Sequence, residues 1–313
     1  MSTEQAPMSF QDVVAGYGHQ QVLRELSLQV PRGSICALLG RNGAGKTTLL
    51  RTALGFLRIQ AGRVTVLGDD AWRNRFDLKD RIGFVPERQD LWPRMRGGDL
   101  LALAARLFSS WDSALASQLV DRYHLPLRRR IGTYSKGMQI QLAQVVALAH
   151  RPEVLLLDEP VSSMDPVVRA EFVEHVVGYV HDNGASVLYS THLVDEVRAL
   201  ADRVAFLSGG KIILEGPVDD VLAGYTHLLA MLDGTNEKAI ATLNPVATQR
   251  RDDVAALMVA APVEEATGRA IAAGITLLEA RRPGLQELFI ALLGEDGQYH
   301  EDAHADRMRQ GAA

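Results

Sequence analysis

The sequence is poor in cysteine and lacks long apolar runs, and both shortages narrow the possible classes of protein. Cys36 is the only cysteine in 313 residues, so an intrachain disulfide is excluded and a reducing compartment is expected. No stretch reaches the roughly 18 apolar residues of a membrane span. The first residues carry Glu4 and no apolar core, so we expect no secretion signal. The net charge of −5 argues against a general nucleic-acid-binding protein.

The sequence does contain a glycine-rich loop at residues 40–48, which fits the pattern G-x-x-x-x-G-K-[ST]. An apolar run at residues 35–39 precedes it and a helical pattern follows it, as this pattern requires. Glycines allow successive backbone N–H groups to face one anion. The loop predicts a triphosphate site in which Lys46 binds the β- and γ-phosphates and the Thr47 hydroxyl binds Mg²⁺. Alone, it is compatible with a transporter motor, a GTPase, a small-molecule kinase or a DNA-repair ATPase.

Two carboxylates follow a second apolar run, at residues 154–157. Such a run is typical of a parallel strand buried on both faces, and open α/β sheets bind ligands at the carboxyl ends of their strands. Asp158 is therefore a candidate Mg²⁺ ligand opposite Thr47, and Glu159 is a candidate for orienting the water that attacks the γ-phosphate. His192 follows the next strand candidate and can donate to a phosphate oxygen. The alternatives are a helix-capping carboxylate pair and a surface histidine that caps the next helix.

The rest of the pattern predicts an antiparallel β layer near the N-terminus, followed by the β-α alternation of a doubly wound α/β core. Tyr17 ends the first strand candidate, where it either stacks on an adenine ring or is an ordinary turn residue. The run Arg128-Arg129-Arg130 is either a solvated basic turn or a contact for anionic lipid headgroups or for a partner's acidic face.

The chain becomes alanine-rich and weakly periodic after about residue 225, with strand candidates at residues 255–259 and 275–279. We therefore expect a small C-terminal α+β domain at residues 226–294. The polar residues 295–313 are expected to be a disordered tail.

Together these motifs resemble the nucleotide-binding subunit of an ABC (ATP-binding cassette) transporter. The loop at residues 40–48 matches the Walker A motif, and residues 154–159 match the Walker B strand with its catalytic glutamate. Residues 134–139, Tyr-Ser-Lys-Gly-Met-Gln, resemble the signature motif, usually L-S-G-G-Q, in a form common among ABC-2-type exporters. Residues 162–165 resemble the D-loop, and His192 resembles the switch histidine.

The resemblance implies a P-loop ABC ATPase cassette at residues 1–225, with a small C-terminal α+β appendage. The cassette would have a RecA-like α/β core, an antiparallel β subdomain and a helical subdomain at about residues 89–150. ATP and Mg²⁺ are the implied ligands, and Glu159, His192 and Lys46 are the implied catalytic residues. The residues implied in ATP binding are Tyr17 in the adenine-stacking A-loop, Asn42, Gly43, Ala44, Gly45, Lys46, Thr47, Thr48, Ser135, Gly137, Met138, Gln139 and Asp165.

Two motifs depart from the family pattern. The signature has Tyr134 in place of leucine and Lys136 in place of glycine. The Q-loop usually reads V-P-Q, whereas here Val85-Pro86 is followed by Glu87, with Gln89 two residues later. A carboxylate at Glu87 cannot donate a hydrogen bond as an amide does, but it can bind Mg²⁺ through a water. Either Glu87 or Gln89 is therefore expected to take this role.

The resemblance also implies that one cassette cannot complete a site, because Ser135 and Gly137 would reach the γ-phosphate held by the opposite subunit. Two cassettes, identical or different, would close over two MgATP and drive a separate transmembrane permease, which would dock on the region from about residue 89 to residue 130. We then expect a peripheral protein at the cytoplasmic face of the inner membrane, with export preferred and no nucleic-acid partner. The alternatives are a soluble ABC ATPase without a permease and a regulatory ABC subunit.

Overall fold

The computed structural model describes residues 6–160, 166–232 and 237–294. They form two compact units, which meet in sequence between Glu215 and Gly216. The predicted change of character at residue 225 falls later, because the short helix Val218–Ala223 already belongs to the second unit. The expected tail at residues 295–313 lies outside the described residues.

The first unit contains both strands and helices. In chain order, its strands are β1 (Met8–Tyr17), β2 (Gln20–Val30), β3 (Ile35–Leu39), β4 (Ala61–Val66), β5 (Asp69–Asp70), β6 (Ile82–Val85), β7 (Val154–Asp158), β8 (Ser186–Thr191), β9 (Arg203–Ser208) and β10 (Lys211–Pro217). Its helices are α1 (Lys46–Ala53), α2 (Arg75–Leu78), α3 (Gly97–Leu107), α4 (Ser113–Arg122), α5 (Lys136–Leu148), α6 (Pro166–Asn183) and α7 (Val194–Leu200), with a 3-10 turn at Ile131–Thr133. Within the described ranges, no helix combines the length and apolarity that crossing a membrane requires.

An antiparallel sheet with the strand order β2-β1-β4-β5 forms one layer of this unit, as predicted for the N-terminal segment. Its buried residues, including Phe10 and Val13, share one apolar cluster with Leu49 and Leu50 of α1 and with Leu156 of β7. Full burial of a side chain of this size stabilises a fold by about 1.5–3 kcal/mol. The cluster therefore holds α1 against both sheets of the unit.

The second sheet has the order β10-β9-β3-β8-β7-β6 and is parallel where β3, β6, β7, β8 and β9 pair. Every residue of β3 and β7 is buried, which explains their uninterrupted apolar sequence. The register opposes Leu39 to Thr191 and Asp158 to Ser190, so the carboxyl ends of β3, β7 and β8 meet at one edge. This arrangement confirms the predicted α/β core and marks the edge at which ligands bind in such sheets.

Cys36 lies in β3, where it is buried among apolar side chains. Burial raises the pKa of its thiol to about 12. The thiol is therefore an unreactive part of the core.

The helical segment between β6 and β7 is fastened to the core through His150, which follows α5. The ring of His150 is buried, faces the carbonyl oxygens of Val146 at 3.1 Å and Ile82 at 3.2 Å, and stacks on Phe108 with ring centroids 4.1 Å apart. Because Ile82 begins β6, these contacts join the end of α5 directly to the parallel sheet.

The second unit is a separate α+β domain. Its strands are β11 (Thr226–Met231), β12 (Ala247–Arg251), β13 (Val254–Val259) and β14 (Leu277–Arg281), and its helices are α8 (Val218–Ala223), α9 (Glu237–Thr242), α10 (Val263–Ala272) and α11 (Leu285–Leu293). The sheet order is β12-β13-β11-β14, with antiparallel pairing throughout. The chain order from β11 to β14 is β-α-β-β-α-β, which is the ferredoxin-like arrangement, and α11 is an addition to it.

Two of these strands, β11 and β12, have no counterpart in the sequence prediction. Adjacent residues of β11, including Thr226, His227 and Leu228, are buried on both faces, so the strand lacks apolar alternation. β12 is an edge strand whose sequence is mostly polar, so its apolar signal is weak. The candidate at residues 275–279 is found slightly later, as β14.

A charged pair joins the end of β14 to α11. The Arg281 guanidinium donates to both carboxylate oxygens of Glu287, at 2.8 and 2.6 Å, and the backbone N–H of Gly284 donates to the same carboxylate at 2.6 Å. Burial alone would raise the pKa of Glu287, but the hydrogen bonds from Arg281 and Gly284 outweigh it and lower that pKa to about 2.

Replacing Glu287 by Gln should destabilise the second unit. At neutral pH, we expect E287Q to lower the free energy of unfolding by about 1–2 kcal/mol, because hydrogen bonds to charged groups contribute this much and the pair is partly solvated. Since the pKa of Glu287 is depressed on folding, this contribution is present above the ordinary value of 4.5 and is lost as the pH falls from there towards about 2. Urea unfolding of both proteins as a function of pH measures the difference.

The matched control is E264Q, which removes an exposed carboxylate from α10 in the same unit. We expect it to change stability by less than about 0.5 kcal/mol. If E264Q and E287Q lowered the free energy of unfolding equally, the stabilising role of the Arg281–Glu287 pair would be contradicted. The same would follow if the difference in stability between E287Q and the wild type did not shrink in acid.

Candidate nucleotide site

The glycine loop joins β3 to α1 at the carboxyl edge of the parallel sheet. Gly45 is the N-cap of α1 and has a φ of 113°, in the left-handed region, and a Cβ there would lie 2.9 Å from the side chain of Leu23. Glycine alone satisfies both constraints without strain. No side chain caps α1, so the first backbone N–H groups of this helix are suited to bind an anion.

The buried side chain of Lys46 is paired with Glu159. Its Nζ donates to the carbonyl oxygen of Gly40 at 2.7 Å and lies 3.0 Å from Oε1 of Glu159. The two side chains are only 6% and 9% exposed. Removing one partner of a buried ion pair typically costs about 3–5 kcal/mol, because it leaves the other charge uncompensated. The buried charges of Lys46 and Glu159 therefore stabilise each other, and each would need a charged ligand in place of its partner if the pair separated.

Ser190 of β8 contacts both carboxylate residues at the end of β7. Its hydroxyl donates to Oδ1 of Asp158 at 2.6 Å, and its backbone carbonyl accepts the N–H of Glu159 at 3.0 Å. Glu159 has a φ of 47°, a conformation that is uncommon for a residue with a side chain and is concentrated at functional sites. The bond from Ser190 engages one oxygen of Asp158, so the other carboxylate oxygen is the one suited to a metal ligand.

His192 follows β8, and its Nδ1 contacts Oε2 of Glu159. The side chain is 41% exposed, so it is open to a ligand as well. It does not cap the next helix, because the N-cap of α7 is Leu193 and has no side-chain cap bond. The helix-capping alternative for His192 is therefore wrong.

The described side-chain partners of the two carboxylates belong to the site. Ser190 contacts Asp158, and Lys46 and His192 contact Glu159. Because residues 161–165, which precede the next helix, lie outside the described residues, the capping alternative for this pair stays a prediction. Glu159 thus lies between a lysine and a histidine at the centre of the site.

These residues surround a cleft of about 380 Å³. Most of the predicted Walker A residues contribute to its walls, together with the predicted Glu159, His192 and Glu87. The cleft is lined by Val22, Arg41, Asn42, Gly43, Gly45, Lys46, Thr47, Thr48, Glu87, Glu159 and His192.

The structure separates the two Q-loop candidates. Glu87 lines the cleft, whereas the side-chain amide of Gln89 donates to the carbonyl oxygen of Pro86 at 2.5 Å. Gln89 instead lines a second depression, of about 470 Å³, which we call the Trp92 groove. The Trp92 groove is lined by Gln89, Asp90, Leu91, Trp92, Pro93, Ile131, Gly132 and Gln139.

Three other predicted residues do not line the cleft. Ala44 is a neighbour of the lining residues in the loop, and Asp158 is buried next to Glu159. Tyr17 is 45% exposed at the end of β1, where its hydroxyl accepts a hydrogen bond from Arg51 of α1 at 2.9 Å. The predicted Asp165 lies outside the described residues.

The signature residues lie at the start of α5 and contribute nothing to the walls of this cleft among the described residues. Ser135 is exposed and is the N-cap of α5, where its hydroxyl accepts the N–H of Met138 at 3.2 Å. Tyr134 replaces the usual leucine of the motif, and its buried side chain donates through its hydroxyl to the carbonyl of Pro126 at 3.0 Å. The substitution therefore keeps a packed anchor under the exposed helix start.

Sequence reasoning missed three residues of the site: Val22, Arg41 and Ser190. Arg41 stands inside the glycine loop, so its position in the motif was a usable signal. The polar Ser190, which directly precedes Thr191 and His192 at the end of β8, was a second one. Val22 carries no such signal, because only the packing of β2 across the loop brings it to the cleft.

The donor set fits Mg²⁺, which prefers oxygen ligands and is usually bound by one or two carboxylates together with substrate phosphates. Thr47 and Glu87 line the cleft, and Asp158 lies at the end of the neighbouring strand. No group of three or more His, Cys, Asp or Glu side chains within the described ranges forms a metal site by itself. A metal held here would therefore depend on the bound phosphates for part of its coordination.

Comparison with known proteins agrees with this geometry. The family model described as ABC transporter matches residues 23–162. The daunorubicin resistance ATP-binding protein DrrA3 of Streptomyces coeruleorubidus is 35% identical over 303 residues, covering 92% of this chain and 96% of that one. The linearmycin resistance ATP-binding protein LnrL of Bacillus subtilis (strain 168) is 28% identical over 91% of this chain and 97% of its own. The bacitracin transport ATP-binding protein BcrA of Bacillus licheniformis is 29% identical over 66% of this chain and 69% of its own.

Solved structures show the same fold. The ATP-binding subunit of an ABC transporter aligns with a TM-score of 0.63 at 26% identity, over 69% of this chain and 91% of that one. A bacterial ABC transporter cassette solved as a dimer aligns with a TM-score of 0.61 at 21% identity, over 67% of this chain and 98% of that one. The similarity to DrrA3 extends along nearly the whole of both chains, and the chain therefore belongs to the ABC transporter family, as an ATP-binding subunit with ATPase activity.

Proposed function

We propose that this chain pairs with a second cassette over two MgATP and drives a separate membrane permease in export. One observation carries the pairing: the cleft gathers the residues for phosphate binding and hydrolysis, while Ser135 and Gly137 stand at an exposed helix start that does not line it. A helix N-terminus binds anions well. The signature of one subunit therefore covers the γ-phosphate held by the other.

In this proposal the loop binds the triphosphate through Lys46 and through the backbone N–H groups from Asn42 to Thr48. Thr47 and Asp158 would hold Mg²⁺, with Glu87 as a further ligand through a water, and the bound ion would neutralise charge on the β- and γ-phosphates. Tyr17 would stack on the adenine ring, and Asp165 is proposed as an ATP-binding residue from its resemblance to the D-loop.

Hydrolysis requires a water aligned with the γ-phosphorus, and Glu159 is the residue placed to orient it. As the water oxygen bonds to phosphorus, the bond to the β–γ bridging oxygen breaks and Glu159 accepts a proton from the water. Lys46 and His192 bind oxygens of the transferring phosphoryl group. Because Lys46 is paired with Glu159 at 3.0 Å, binding of the triphosphate draws Lys46 away and frees the carboxylate for this role.

The variant E159Q tests the catalytic assignment. We expect ATP hydrolysis by the purified protein to fall by about a hundredfold or more, since general-base catalysis contributes about 10²–10⁴ in rate. ATP binding should remain, and ATP-stabilised dimers should accumulate on size-exclusion chromatography because hydrolysis no longer releases them. The control E264Q should turn over normally. Unchanged turnover in E159Q would overturn the role given to Glu159.

The variants E87A and Q89A test which residue serves the Q-loop. Because Glu87 lines the cleft and Gln89 does not, E87A should raise the Mg²⁺ concentration needed for half-maximal hydrolysis severalfold, while Q89A should leave it unchanged. Titration of ATPase activity with Mg²⁺ at saturating ATP measures the effect. The reverse result would assign the role to Gln89.

Export is supported by the names of the relatives, which refer to daunorubicin resistance, linearmycin resistance and bacitracin transport. The signature form Ser-Lys-Gly-Met at residues 135–138 supports the same ABC-2-type branch. The permease would dock at the Trp92 groove, within the region from about residue 89 to residue 130, and hold the chain at the cytoplasmic face of the membrane. An amphiphilic compound such as an antibiotic is the cargo class that these relatives favour.

Co-purification from native membranes tests the partner. We expect a tagged full-length chain to bring down a polytopic membrane protein in mild detergent, and the groove variant W92A to lose it while retaining ATPase activity. Recovery of ribosomes or DNA instead would favour a soluble ABC ATPase without a permease. Membrane association without ATP turnover would favour a regulatory subunit.

A further inference from the structure

Two short segments beside the Trp92 groove run antiparallel and hold five arginines together. Backbone hydrogen bonds join Gly98 to Leu127 at 3.0 Å, Ile131 to Met95 at 2.9 Å, and Gly132 to Pro93 at 2.9 Å. An isolated β-bridge pairs the segments at their centre. We call the exposed arginines of these segments the arginine ridge: Arg94, Arg96, Arg128, Arg129 and Arg130.

The ridge concentrates positive charge on a chain that is negative overall. Residues 93–99 and 126–132 contain these five arginines and one carboxylate, Asp99, whereas the whole chain has a net charge of −5. No residue that the structure describes forms an ion pair with any of the five. The backbone pairing fixes their spacing, so little chain entropy opposes binding to an anionic surface.

An exposed tryptophan borders the ridge. Trp92 is 58% exposed and lines the Trp92 groove together with Pro93, Ile131 and Gly132, which belong to the two paired segments. Arginine binds phosphate oxygens through a planar fork of donors, and tryptophan is enriched at the headgroup level of membranes. The arginines therefore suit a phospholipid surface, while the Trp92 groove beside them is the site proposed for the permease.

We propose that the arginine ridge binds anionic phospholipid headgroups at the membrane surface. Charge complementarity supports this occupant. The five side chains are exposed and line neither the cleft nor the Trp92 groove, and laterally mobile lipids can gather their phosphates around such exposed charges. Because the chain is net negative overall, an anionic membrane attracts these segments against the chain's general excess of carboxylates. The ridge therefore orients the cassette on the membrane, independently of ATP.

Vesicle co-sedimentation of the purified full chain, without nucleotide or permease, tests this proposal. The chain should bind vesicles of phosphatidylcholine and phosphatidylglycerol and not vesicles of phosphatidylcholine alone. Each arginine near an anionic surface strengthens binding about fivefold, so R128Q/R129Q/R130Q should weaken it by about a hundredfold. R94Q/R96Q should weaken it in the same direction, and added salt should weaken binding of the wild type.

Two controls separate a specific ridge from general charge and from misfolding. R24Q/R58Q/R63Q removes the same number of charges from exposed positions elsewhere in the first unit. This variant should weaken binding to anionic vesicles severalfold at most. R128K/R129K/R130K keeps the charge and should retain most of the binding. ATPase activity in detergent should be unchanged in every ridge variant, because none of these residues lines the cleft.

Absence of wild-type binding to anionic vesicles, or equal loss in the R24Q/R58Q/R63Q control, would overturn the proposal. It would also be overturned if the ridge variants bound vesicles normally but lost the permease on co-purification, because the ridge would then recognise an acidic protein surface. Because the vesicle assay contains no ATP, a negative result there does not bear on the proposed hydrolytic function. Normal ATP turnover in E159Q would likewise not bear on the vesicle result.

Discussion

The parallel pairing of β3, β8 and β7 is the constraint on which the nucleotide site depends. The backbone register sets Leu39 beside Thr191 and Ser190 beside Asp158, and all these strands are buried. A slip of one residue would turn each of these side chains to the opposite face of the sheet. The glycine loop, the carboxylates and His192 meet because three strands end together, and the apolar core that enforces this register is therefore part of the catalytic apparatus.

At this edge of the sheet, the charged side chains of the site are already paired with one another. Glu159 contacts Lys46 on one side and His192 on the other, and its backbone is held by Ser190. In the proposed function, a triphosphate would compete with Glu159 for Lys46, because it carries more negative charge than one carboxylate. Binding and activation would then be the same rearrangement, which would limit the time that an unpaired carboxylate spends in a buried site.

Sequence reasoning identified the site where motifs are local and failed where placement depends on tertiary packing. The loop at residues 40–48 carries its own backbone geometry, so its glycines and Lys46 were identifiable from spacing. Glu87 and Gln89 lie in the short segment that follows β6, and only the direction of each side chain decides which of them lines the cleft. The apolar periodicity of the sequence does not indicate that direction. The second unit was recognised as α+β, but β11 is buried on both faces and β12 is a polar edge strand, so neither shows alternation.

The hydrogen bond from Arg51 to Tyr17 has a consequence for nucleotide selection. Arg51 lies on α1, the same helix whose first residues are Lys46 and Thr47. One rigid helix therefore holds the tyrosine ring at its far end and the phosphate ligands at its start. If a base stacked on Tyr17 while its phosphates bound at Lys46, the length of α1 would set the distance between the two contacts. The number of phosphates attached to the sugar would then decide whether both contacts can form at once.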